Sequence, residues 1–164
     1  VALSGFILSL IQTIMRHKDQ KRDLVFCIIK ITKTNQAKNT MLIRYRVDNR
    51  SSAPINITRI KLLIGDEEYL AHYVPIFAEG YVCDNEMKYF KLTDTMPVNL
   101  AAYDSHGGYL AFQLPEEKQQ NLERTASLLI STSRGEPAKI SLKLNEDNRI
   151  RGTRQRCKRN EHHN

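Results

Sequence analysis

The sequence predicts a mainly β chain with one apolar segment ahead of it. Three observations carry this prediction. From residue 24 onward apolar residues recur with a period of two. Turn residues interrupt them at intervals of roughly 8–15 residues, and no helical stretch between them is long enough for a βαβ crossover.

The first element is residues 1–15, a run without a charge, followed by Arg16, Lys18, Lys21 and Arg22. Secretion signals set positive residues before the apolar core and a small-residue cleavage site after it; here the order is reversed. The only polar side chains in the run are Ser4, Ser9, Gln12 and Thr13, so it reads as a membrane anchor rather than an amphipathic surface helix. At 1.5 Å per residue it covers about 22 Å of a hydrocarbon layer about 30 Å thick, and residues ahead of Val1 are expected to complete the span. Positive flanks stay cytoplasmic, so the expected arrangement is a single-pass protein with its domain in the cytoplasm, an extracytoplasmic domain being the alternative. A helix packed on the domain and an interfacial helix are the other two readings of the segment. Gly5, Ser9 and Thr13 recur at i, i+4 and i+8, a spacing that would join two such helices in a homodimer unless it arises by chance.

The strands follow in order. Residues 24–31 (LVFCIIKI) are a short apolar run rich in β-formers. Across residues 41–49, Ile43, Tyr45 and Val47 alternate with Arg44, Arg46 and Asp48, the pattern of a half-buried strand. RSSAP (50–54) is turn chemistry. In INITRIKLLI (55–64), Ile55 and Ile57 keep one phase and Ile60, Leu62 and Ile64 the other; such a flip marks a β-bulge or a strand that changes sheets. GDEEY (65–69) turns the chain, and residues 71–85, with Pro75, Gly80 and Asp84, read as the longest loop. Further strands are expected over 87–92, 97–103 and 107–114, with Pro97 at a strand start and Gly107-Gly108 at a turn or edge. Residues 115–124 fit a short helical turn or a polar loop. ASLLISTS and AKISLKL flank Arg134-Gly135-Glu136-Pro137, a hairpin turn. Ile43, Tyr45, Val47, Leu62, Leu128, Ile130, Ile140 and Leu142 are expected inside.

About eight short strands of this kind specify an immunoglobulin-like antiparallel β-sandwich over residues 23–148, behind an N-terminal hydrophobic helix with a basic flank (1–22) and ahead of a basic disordered tail (149–164). The chain has no Trp, so the Cys–Trp–Cys pin of antibody domains is absent. The motif Asn49-Arg50-Ser51-Ser52-Ala53-Pro54-Ile55-Asn56-Ile57 stands in the second turn, with Pro97-Val98-Asn99-Leu100 and Gly107-Gly108-Tyr109-Leu110-Ala111-Phe112 further on. With the apolar segment and basic stretch, this layout resembles a loose class of small bacterial proteins of unknown function that carry an N-terminal membrane segment and an immunoglobulin-like sandwich. The resemblance spans roughly residues 1–144; it implies the fold, no activity and no catalytic residue.

The net charge of +7 is unevenly placed. Residues 16–22 carry +3 and residues 149–164 carry +5, which leaves −1 for the body between them. Basicity at the ends serves contact with a membrane or polyanion without involving the fold. Cys27, Cys83 and Cys157 are far apart and form no CxxC, so free thiols are expected, a Cys27–Cys83 bridge being the alternative. The sequons at Asn49 and Asn56 matter only in a glycosylating pathway.

No motif signals chemistry. Asp104-Ser105-His106 holds the residue types of a hydrolase triad, but a triad converges from separate segments, and Asp, Ser and Gly also make turns. Cys83 with His72 or His106 lacks a strand-to-helix elbow. Cys157, His162 and His163 sit in the tail, and Asp66-Glu67-Glu68 lacks the spaced oxygens of a calcium loop. No catalytic, cofactor or metal residue is assigned. The aromatics Tyr69, Tyr73, Phe77 and Tyr81 fall in the least regular stretch, where loops on such scaffolds carry function, and form a candidate partner surface. The expected function is therefore a membrane-tethered, non-catalytic module for an unidentified protein partner. The alternative is a soluble protein that contacts nucleic acid or anionic surfaces non-specifically through Arg16, Lys18, Lys21, Arg22, Arg151, Arg154, Arg156, Lys158 and Arg159.

Overall fold

The computed structural model describes residues 7, 9–13, 21–34, 39–83, 86–120 and 122–151. The chain is mainly β, as the period of two requires, and every named strand pair is antiparallel. Eleven strands stand among the described residues, three more than the patterning gave.

One sheet holds β1 (Asp23–Lys33), β2 (Thr40–Asn49), β8 (Ser105–Gln113) and β11 (Asp147–Arg151) in the order β11-β1-β2-β8. A second holds β10 (Ala138–Ser141), β9 (Ala126–Thr132), β3 (Ile55–Ile64) and β4 (Glu67–Leu70) in that order, with β7 (Val98–Leu100) on β3 beyond β4. The pair β5 (Phe77–Cys83) and β6 (Glu86–Leu92) forms a separate two-stranded ribbon. Both large sheets feed one core: Phe26, Ile43, Tyr45, Val47 and Phe112 from the first, Ile60, Leu62, Leu128 and Ile130 from the second. All eight residues expected inside are buried.

The phase flip in β3 is a bulge. Its register against β9 shifts between Ile57 and Arg59, which lets Ile55, Ile57, Ile60, Leu62 and Ile64 all face inward. The same break divides β3 between two partners, β7 along Ile55–Ile57 and β4 along Lys61–Ile64. The Asn49 motif is structural: its amide donates to the carbonyls of Ala53 and Ala101 and accepts from the Ser51 backbone and hydroxyl. Every bonding valence of this buried side chain is thereby filled, and it ties the turn after β2 to the end of β7.

Three sequence expectations are corrected. Among the described residues no helix is long and apolar enough to cross a membrane, which overturns the single-pass anchor and with it the side of the membrane assigned to the domain. In the first twenty residues only Ile7 and residues 9–13 are described, and they are helical. Arg149, Ile150 and Arg151, assigned to the tail, belong to β11: Ile150 is buried in the core, and Arg149 makes a two-pronged ion pair with Asp23 on β1. Gly107 and Gly108 lie inside β8, an edge strand of its sheet, which is the second of the two placements expected for them. The stretch 71–85 is no plain loop, since it contains β5. Residues 115–124 do hold helical turns, Glu116–Gln119 and Leu122–Thr125.

Candidate functional site: the β5–β6 arm

The stretch between β4 and β7 crosses from one sheet to the other. Ala71 N–H donates to Ile60 of β3, and the next residue, His72, donates to Ala111 of β8. The chain then leaves as the β5–β6 ribbon and returns at Asp94, whose N–H donates to the Tyr109 carbonyl, 2.7 Å away. At the ribbon's base, Thr93 N–H donates to Ile76 O while the Thr93 hydroxyl accepts from Ile76 N–H. The ribbon is thus an arm hung on the edge of β8.

Asp94 is the peg. Its Oδ2 accepts the Tyr45 hydroxyl at 2.9 Å and the Tyr109 N–H at 3.1 Å, and Oδ1 lies 3.2 Å from His106 Nε2, though off-line for a ring N–H bond. Tyr45 is itself fixed by a parallel stack on Phe26, with ring centroids 5.0 Å apart. Burial pushes the Asp94 carboxyl up, but the His106 contact and charge, the Tyr45 bond and Lys91 outweigh it and hold the group below its ordinary value. Burial first, then the neighbouring carboxylate, raises the Tyr45 phenol far above its usual range. This explains Gly108: a Cβ there would stand 1.5 Å from Asp94 Oδ2, so glycine leaves the space that the carboxylate fills.

The arm wears its amphipathicity inside out. Glu79 and Lys91 are cross-strand partners. Glu79 accepts the Tyr109 hydroxyl, and Lys91 donates to Gly107 O while its ammonium stands 5.7 Å from the Tyr109 ring. That polar face lies against β8. Phe90 and Leu92 flank Lys91 and therefore point the other way, with Phe77 paired across from Leu92. Phe90 is 59% exposed and Leu92 44%. The connection into the arm exposes Leu70, Tyr73 and Val74 as well, Tyr73 to 80%.

The four expected aromatics divide. Tyr73 is free in solvent and stacked on His72; Phe77 is half-buried on the outward face. Tyr69 packs partly on the core and donates its hydroxyl to Glu67. The side chain of Tyr81 lies outside the described residues. Sequence reading missed Phe90 and Leu92, although their alternation with Lys91 in MKYFKL carried the signal.

Of the basic set, one described member is withdrawn from the surface. Arg22 is 4% exposed: it donates to Thr132 Oγ1 at 3.1 Å and to the Glu136 carbonyl at 2.7 Å, against Gly135, whose positive φ of 74° opens the turn. Its role is to clasp the β9–β10 turn, not to face an anionic surface. Lys21 and Arg151 are exposed; Arg16, Lys18, Arg154, Arg156, Lys158 and Arg159 lie outside the described residues. The triad-like residues diverge: Asp104 accepts from the Ser105 backbone, Ser105 donates to Asp48, and His106 turns toward Asp94. Cys27 is a buried free thiol. Comparison with protein-family models, curated proteins and solved structures finds no match for this chain.

Proposed function

We propose that the chain is an immunoglobulin-like β-sandwich acting as a non-catalytic protein-binding module, with the β5–β6 arm and its leading connection as the contact surface. The strand orders support the fold reading. Taking β1, β2, β3, β8, β9 and β10 as A, B, C, E, F and G, the sheets run A-B-E and C-F-G, the order of immunoglobulin constant domains. The observation that carries the function is the arm's inverted amphipathicity. A two-stranded ribbon is marginal in water unless packed, yet this one engages β8 through Glu79, itself still exposed, and Lys91, and leaves Phe90 and Leu92 in solvent. Exposed apolar area of that kind on a framed arm fits a protein partner.

A photo-crosslinking residue tests the reading. Placed at Tyr73 or Phe90 of the full chain in its own cells, it should trap another protein; placed at exposed Asn56, it should not. Silence at both arm positions, or equal trapping at Asn56, refutes it.

A further inference from the structure

We infer that the turn between β9 and β10 holds a binding site for one compact carboxylate, gripped by the free edge of Arg22 and by Arg134. The site lies outside the arm, and the inference is independent of the binding reading above.

A buried guanidinium needs its N–H groups met, and Arg22 meets only some of them. The residue is 4% exposed. Nη1 donates twice, to Thr132 Oγ1 and to the Glu136 carbonyl, and both acceptors are neutral. Nε is enclosed and finds no acceptor among the described residues. Nη2 beside it also donates to none of them, and it is not enclosed. Nε and Nη2 form the guanidinium edge whose two parallel N–H groups match the two oxygens of a carboxylate.

The turn keeps that edge uncovered. Gly135 has a φ of 74°, and a Cβ built there would lie 3.3 Å from Arg22 Cζ and 3.5 Å from both Nε and Nη2. Glycine therefore leaves room beside the same three atoms that make up the free edge. Arg134 supplies a second unmet donor, since its Nη1 is enclosed without an acceptor among the described residues. One hydroxyl ties the two arginines to the same turn: Thr132 Oγ1 accepts from Arg22 Nη1 and donates to the Arg134 carbonyl at 2.6 Å. Two enclosed donors unmet at one turn are costly unless an acceptor reaches them.

Charge sets the class of ligand. Among the described residues no carboxylate forms an ion pair with either arginine. Burial, the larger influence, holds the Arg22 pKa below its ordinary value, and Glu136 offsets this only from beyond ion-pair range. Arg22 and Arg134 set against Glu136 leave one positive charge at the turn, which a single monoanion neutralises. So enclosed a guanidinium admits a compact group, the carboxylate of a small acid.

The test is a titration of the full chain with sodium acetate against sodium chloride at equal ionic strength. Two-dimensional NMR follows the Arg22 Nε–H and the Gly135 amide, and calorimetry follows Tm. In wild type, acetate should move both signals saturably and raise Tm, as a ligand that binds only the folded chain must. Arg134→Gln leaves the Arg22 clasp intact and should bind acetate at least about tenfold more weakly. Shifts no different from chloride in wild type, or unchanged acetate affinity in Arg134→Gln, overturn the inference; water then meets these donors. Inorganic phosphate bound more tightly than acetate overturns it too, by making the ligand a phosphate. Acetate binding seen only in Glu136→Gln has the same consequence, because Glu136 would then be the occupant.

Discussion

Gly108→Ala is the substitution that most directly probes how the arm is held. The backbone at Gly108 is not left-handed, so alanine suits the strand itself. The obstacle is Asp94: the new Cβ would fall 1.5 Å from Oδ2 and 2.6 Å from Cγ, and the carboxylate has to leave. Its departure strands two donors, the Tyr45 hydroxyl and the Tyr109 N–H. An unpaired buried donor costs about 1–3 kcal/mol, so the loss should be about 2–6 kcal/mol. In a domain of this size each kcal/mol is worth about 2–4 °C, which makes a fall in Tm of roughly 5–20 °C. Calorimetry gives the total, and a double-mutant cycle with Asp94→Ala isolates the cause. Once Asp94 is gone, Gly108→Ala should cost little, so the two losses should fall short of additivity by about 2 kcal/mol or more. A loss below about 1 kcal/mol, or additivity within about 0.5 kcal/mol, refutes the reasoning.

Asp94 also sets a pH dependence: its folded-state value is lowered, so its stabilisation is present above the ordinary carboxylate pKa of about 3.9 and is lost as pH falls through the lower folded value. Acid titration of wild type against Asp94→Asn should show that limb only in wild type. Arg22→Ala should lower stability by about 2–4 kcal/mol in chemical denaturation, because it empties a buried site and strips Glu136 O and Thr132 of their donor; a loss below about 1 kcal/mol would return Arg22 to the surface. Truncation after Asn148 removes Ile150 from the core and Arg149 from Asp23, and should drop Tm by several degrees, whereas truncation after Arg151 should spare the described fold. Equal Tm for the two truncations would place β11 outside the folding unit.

Local alternation determined much of this chain by itself. The period of two in β2, β9 and β10 named the buried face because side chains on a strand alternate, whatever they pack against. The β3 bulge was legible for the same reason: five apolar residues in two phases can share one face only if the register slips. What tertiary structure alone decided involves partners far apart in sequence. Gly108 read as a turn or edge residue, and nothing nearby reveals that the carboxylate of Asp94 occupies the place of its missing side chain. Arg22 looked like surface charge until the β9–β10 turn, 110 residues away, closed over it. Ile150 was too isolated to read as strand until β1 supplied its ladder. The arm shows the limit most plainly. Alternation separated Lys91 from Phe90 and Leu92, but ordinary burial rules would have turned the phenylalanine inward. Its orientation is set by Tyr109 and Gly107 of β8, which hold Glu79 and Lys91 by hydrogen bonds that no periodicity encodes.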